Sequence, residues 1–204
     1  MINIAIIETG LELVPKKYRK YPSVQKYAKI RDKPAGEILL DIGVHKIGKE
    51  YKGGRPDIVH LSLLLLQNSE LNEKNQLQVW IHTKNNEIIK VHPSTRIPKN
   101  YYRFCSLIEE LLKTKHSKFF KIREGTVQEL ITKIEPNRTI LMQEKGEDIK
   151  TLKPKDGDLL LIGGFQKGEF EKEIPNTIKI RVSKKPVETI RVIHEILKLY
   201  ELSL

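Results

Sequence analysis

The chain predicts an α/β domain built on a mainly parallel sheet. Two observations carry this: strand and helix patterns alternate along the whole sequence, and the strand candidates are nearly unbroken apolar runs, as in sheets covered on both faces. At 204 residues with 39% apolar side chains, the length suits one good-sized core or two small ones. With no internal repeat and no Pro/Gly/Ser linker to divide it, one domain over 1–204 is expected.

The elements follow in order. INIAII (2–7) is a β-branched run bounded by Glu8, Thr9 and Gly10, which reads as a core strand. KKYRKYPSVQKYAKIRDK (16–33) carries eight basic residues and one acid, with Tyr18, Tyr21 and Tyr27 interleaved. Such a mixture can track an RNA backbone, and a solvated helix or loop explains it equally. EILLDIG (37–43) is a second strand candidate. A helix is expected from Pro56 to about Gln67, because proline in the first turn loses no hydrogen bond and Asp57 faces the positive end of the dipole. Arg55 opposes that dipole from just before the start, so it should serve another purpose.

QLQVWIHT and EIIKVHP read as two strands joined through Lys84–Asn86, where Asn85 and Asn86 suit a tight hairpin. This hairpin, at 76–92, is expected as a sheet edge or a small insertion. In PKNYYRFCSLIEELLKT (98–114), Phe104, Leu107, Ile108, Leu111 and Leu112 keep helical spacing. Thr126 with Glu129 forms a capping box that opens a short helix. Strands follow at 139–143, 158–164 and 177–183, and a last helix from about Pro186 to Leu202.

Lys and Arg total 37 against 26 acidic residues, a formal net charge of +11, which favours a polyanionic partner, nucleic acid first. An organism's general lysine habit is the competing explanation. A single cysteine, Cys105, excludes a disulfide framework and a CxxC metal site, and the six histidines show no HExxH spacing. No metal is expected. MINIAIIETG lacks the basic flank and length of a signal peptide, and LSLLLL is far too short to span a bilayer, so a cytoplasmic protein without membrane contact is expected.

Three segments look chemical. RIPKNYYRF (96–104) places Arg96, Lys99 and Arg103 at a strand-to-helix junction, and with a helix starting at Pro98 the last two share a face. Guanidinium groups there would grip phosphate, although an ordinary amphipathic helix has the same pattern. DLLLIGGFQKGEF puts Gly163 and Gly164 at the carboxyl end of a buried strand, where ligands gather in α/β sheets; it is neither GxxxxGKS/T nor GxGxxG, and a plain tight turn explains it equally. IRVSKKPVET leaves a strand at Val182 and enters a helix near Pro186, exposing backbone groups as every such turn does.

Taken in this order, GRPDIVH, NSELN, LQVWIHT, VHPSTRIPKNYYRF, IGGFQKG and VSKKPVET resemble the Nep1/Emg1 family of pseudouridine-N1-methyltransferases of ribosome biogenesis, within the SPOUT class. The likeness runs from about residue 37 to the C-terminus and leaves the basic segment unmatched. It implies a SPOUT-type α/β knot, a deep C-terminal trefoil, that binds S-adenosylmethionine, and a homodimer acting on a small-subunit rRNA hairpin loop. By residue matching, Arg55 contacts RNA with Asp57 steadying it, and Arg96, Lys99 and Arg103 join them. The methyl donor would be held by Gly163, Gly164, Gly168, the turn Val182, Ser183, Lys184, Lys185, Pro186 and Val187, and Met142.

Three departures matter. Lys99 stands where an arginine is common and offers a point charge without a fork. Asn68 replaces a carboxylate and cannot be a general base, and Lys167 would substitute for an arginine often found in the glycine loop. No general base is identified. An rRNA-binding assembly factor without catalysis stays open as the alternative, as does an unrelated α/β protein whose charge is incidental.

Overall fold

The computed structural model describes residues 1–47, 51, 53–166 and 168–203. Strand β1 (Ile2–Thr9) is followed by helices α1 (Pro22–Ile30), α2 (Ile42–His45), α3 (Pro56–Gln67) and α4 (Glu70–Glu73). Then come β2 (Leu77–Thr83), β3 (Glu87–Val91), α5 (Tyr101–Thr114), β4 (Phe120–Glu124), α6 (Val127–Ile134), β5 (Arg138–Asp148), β6 (Asp158–Gly163), β7 (Ile178–Arg181) and α7 (Thr189–Glu201).

The seven strands of the described residues form one sheet in the order β4-β3-β2-β1-β6-β5-β7. The pairs β1–β2, β1–β6, β5–β6 and β5–β7 are parallel, and β2–β3 and β3–β4 antiparallel. The sheet is therefore mainly parallel, as expected. The hairpin joins this sheet directly: β2 lies beside β1, and β3 leads to β4 at the edge.

Alternation along each strand fills two layers. Ile4, Ile6, Leu160 and Ile162 face α3, α5 and α7 through Leu63, Leu66, Phe104, Ile108, Ile193 and Ile196. Ala5, Ile7, Leu159 and Leu161 face α6 through Leu130. Burial on both faces is why these strands read as continuous apolar runs.

Four expectations are corrected. Residues 37–43 are not a strand of the sheet: Leu39 makes an isolated antiparallel bridge to Leu13, its N–H donates to the Glu109 carboxylate at 3.0 Å, and Asp41 then caps α2. Helix α5 begins at Tyr101 rather than Pro98, because the Asn100 side chain accepts from Arg103 N and Pro98 O is taken by His60. Lys99 therefore precedes the helix and shares no helical face with Arg103. The last helix starts at Thr189 rather than Pro186, with Glu188 at its N-cap. Strand β4 has no apolar run to announce it, because its exposed positions are charged while Phe120 is buried. The helix over 127–134, its capping box and α3 over Pro56–Gln67 stand as read.

Candidate functional site

Parallel strands leave their carboxyl ends on one edge of the sheet, and the chain there decides what a ligand meets. At the end of β1 it makes an excursion over residues 10–55 and returns to the same point. Gly54 N–H donates to Gly10 O at 2.9 Å. A Cβ on Gly10 would stand 2.7 Å from Gly54 N, so only glycine allows this closure. The first turn of α3, and Arg55 with it, is thereby fixed at the carboxyl edge of the central strand.

Arg55 grips Asp57 with both arms of its fork, Nε to Oδ1 at 2.8 Å and Nη2 to Oδ2 at 2.7 Å. This hydrogen-bonded pairing raises the guanidinium pKa, and Asp41 and Glu188 add to it. Two links of the cluster follow. Arg55 lies in the field of Glu188, the residue that opens α7 after the 182–187 turn. Asp41 accepts from Tyr101 Oη at 2.5 Å, which ties the excursion to the start of α5; burial, then that bond, pushes the Tyr101 phenol up.

His60 completes the link between the two helix starts. Its ring stacks on Phe104 with centroids 4.5 Å apart, and Nε2 donates to Pro98 O at 2.7 Å. The structure thus gathers Arg55, Asp57 and the 96–103 segment around one hub. Arg96, Lys99 and Arg103 are exposed there, and none is in an ion pair among the described residues.

On the same edge, the loops after β6 and β7 meet over β5 and line a half-open cavity of about 760 Å³, within the range of small-molecule sites. Thr189 Oγ1 donates to Gly163 O at 2.8 Å and holds the loops together. Met142, Gly163, Gly168, Val182, Ser183, Lys185, Pro186 and Val187 line it. Gly164 and Lys184 do not. Gly164 packs against β1 instead: a Cβ there would meet Thr9 Cγ2 at 2.4 Å. Lys167 lies outside the described residues.

The wall suits a nucleoside-sized group with a charged tail. Leu141, Ile162, Ile180 and Phe170 offer apolar surface, and Gly168, at φ +107°, leaves open space where a side chain would stand. Arg181, also in the lining, keeps a buried Nε without a partner among the described residues, while its Nη1 donates to Gly146 O at 2.7 Å. A buried donor of this kind fits an acceptor supplied by a ligand.

Two residues that sequence reading passed over hold this cavity in shape. Glu8 is 7% exposed with φ 54°, and both its carboxylate oxygens accept from Glu171 N, at 3.1 and 3.0 Å. Burial raises its pKa. Lys84 pairs with the Glu171 side chain at 3.1 Å. The loop that carries Phe165, Gly168 and Phe170 is therefore pinned to the ends of β1 and β2. The sequence signal for Glu8 is a carboxylate directly after an apolar run, which by itself marks only a strand boundary.

The family model described as EMG1/NEP1 methyltransferase matches residues 4–201. The chain belongs to this family. It is 37% identical over 216 residues to the "Ribosomal RNA small subunit methyltransferase Nep1" of Thermococcus onnurineus, covering 98% of each chain. It is 39% identical to the protein of the same name from Staphylothermus marinus, over 92% of this chain and 90% of that one. The crystal structure of Archaeoglobus fulgidus Nep1 bound to S-adenosylhomocysteine superposes with a TM-score of 0.86 at 31% identity, covering 98% and 97% of the two chains. The EMG1/NEP1 membership matches the resemblance read from the motifs. Among the described residues no helix is long and apolar enough to cross a membrane, and no group of three ligating side chains could hold a metal ion.

Proposed function

We propose that this EMG1/NEP1 chain transfers a methyl group from S-adenosylmethionine to N1 of a pseudouridine in a hairpin loop of small-subunit rRNA, in the cytoplasm, as a homodimer with a C-terminal trefoil knot. The observation that carries the reading is the convergence on one sheet edge of the cavity after β6 and β7 and the Arg55–Asp57 pair at the start of α3. The relatives named for rRNA methylation, and the S-adenosylhomocysteine held by the Archaeoglobus fulgidus protein, support the substrate and donor. The parallel strands β6-β5-β7, out of sequence order, support the knotted path.

S-adenosylmethionine brings a methyl group already activated by its sulfonium, so the protein's task is mainly alignment. Met142, Ile162 and Ile180 give the donor site its apolar wall, and Arg181, whose buried Nε has no partner among the described residues, stands in the lining. Asp57 orients the Arg55 fork toward RNA. Arg96, Lys99 and Arg103 add charge from the α5 side, where a target base can leave a single-stranded loop without breaking a duplex.

The test is mass spectrometry of small-subunit rRNA treated with the purified protein and S-adenosylmethionine. Methylated pseudouridine is expected at one position. RNA binding with no methyl transfer, and no heat on titration with S-adenosylmethionine, would replace this reading with a non-catalytic assembly factor.

A further inference from the structure

Neither the cavity nor Arg55 accounts for the basic segment 16–33. Its fold divides the eight cations into three held inward and five left outside. Both arginines turn inward: Arg19 Nε donates to Val14 O at 3.1 Å, and Arg31 donates to Tyr27 Oη, to Ser106 Oγ at 2.8 Å and to Glu109 at 3.0 Å. Lys33 joins Glu109 at 2.7 Å. The other five cations, Lys16, Lys17, Lys20, Lys26 and Lys29, are exposed.

None of those five is in an ion pair among the described residues, and what sets them apart is that they are close together in one short segment. On α1, Val24 and Ala28 are buried, which leaves Lys26 and Lys29 together on the outer side. Tyr21, 42% exposed, stands at the start of that helix. The Arg31–Ser106 bond sets the end of α1 beside the second turn of α5, whose first turn carries Arg103.

We infer that α1 and the turn before it form a second RNA surface, continuous with the Arg103 end of the site, which holds the phosphates of the helical stem flanking the target loop. It rests on the rRNA reading above and adds to it. Lysines supply point charges without base readout, which suits a duplex whose deep groove side chains cannot enter. Because the arginines and Glu109 already fix the segment, little ordering is required when RNA arrives.

Fluorescence anisotropy with a labelled hairpin RNA, repeated across salt concentrations, tests this with two triple variants of equal charge. One is K20A/K26A/K29A. The control is K133A/K153A/K155A, with Lys133 on α6, over the other face, and Lys153 and Lys155 near the amino end of β6. The first variant is expected to lower the slope of log K against log salt by about 3, close to one charge per lysine, while the control leaves it nearly unchanged. A loop-only oligonucleotide should bind the first variant and the wild type alike, and S-adenosylhomocysteine should titrate unchanged. Equal slopes for K20A/K26A/K29A and wild type, or equal losses in both variants, would overturn the surface while leaving the rRNA reading intact. A wild-type protein that ignores the hairpin would overturn both.

Discussion

Replacing Glu8 by alanine removes the only acceptor that Glu171 N has among the described residues. The lost interaction is a hydrogen bond to a carboxylate that is 7% exposed, a class worth about 1.5–3 kcal/mol. If all of it served to hold the loop over the cavity, S-adenosylhomocysteine would bind ~10- to 100-fold more weakly. The Lys84–Glu171 pair still tethers the same loop, although Glu171 is half exposed and such pairs contribute little. The expected loss is therefore about tenfold, near the lower end of that range. Glu8→Gln keeps an oxygen acceptor and should lose less than about threefold. Isothermal titration with S-adenosylhomocysteine gives the affinities, and thermal melting shows whether the fold is intact. A Glu8→Ala protein that melts like the wild type and binds with the same Kd would refute the pinning argument.

Arg55→Ala should weaken binding of a labelled rRNA hairpin about tenfold or more, the scale of a lost charged hydrogen bond, while S-adenosylhomocysteine binds as before; equal RNA affinities would remove Arg55 from the RNA surface. Glu109→Ala strands Arg31 and Lys33 beside a buried hole, and because Lys33 is 34% exposed and can reach water, the cost is expected at the low end for a broken buried pair, about 3 kcal/mol. Urea unfolding should show that as a midpoint lower by about 1–2 M, and an unchanged midpoint would contradict it. Burial raises the Glu12 carboxyl above its ordinary value, so its contribution to stability is full below the unfolded pKa and is lost as pH rises through the folded one. As pH falls from neutrality toward the ordinary glutamate value the wild type should gain stability relative to Glu12→Gln, and urea midpoints that stay parallel throughout would refute the sign.

Local signals were legible where the physics is local. The capping box at Thr126, proline at the start of α3, the apolar spacing after Phe104 and the β-branched run at 2–7 each depend on a few neighbouring residues, and each element formed. Two of the departures share one cause. Asn100 rather than Pro98 opens α5 because His60, thirty-eight residues earlier in the chain, takes the Pro98 carbonyl. Leu39 leaves the strand pattern because a distant buried carboxylate takes its N–H. Neither partner is visible from the segment itself.

The amino-acid sequence by itself determined that this chain would bury a mainly parallel sheet, carry surplus positive charge and place an arginine before an apolar helix, since periodicity, composition and helix-end chemistry act over a turn or two. Only the tertiary structure decided what those features are for. The closure of Gly10 on Gly54 carries Arg55 to the sheet edge where the loops after β6 and β7 meet, and Glu8 reaches across 163 residues to hold one of them. Contacts of that span depend on how the strands are ordered, which no short stretch of sequence encodes.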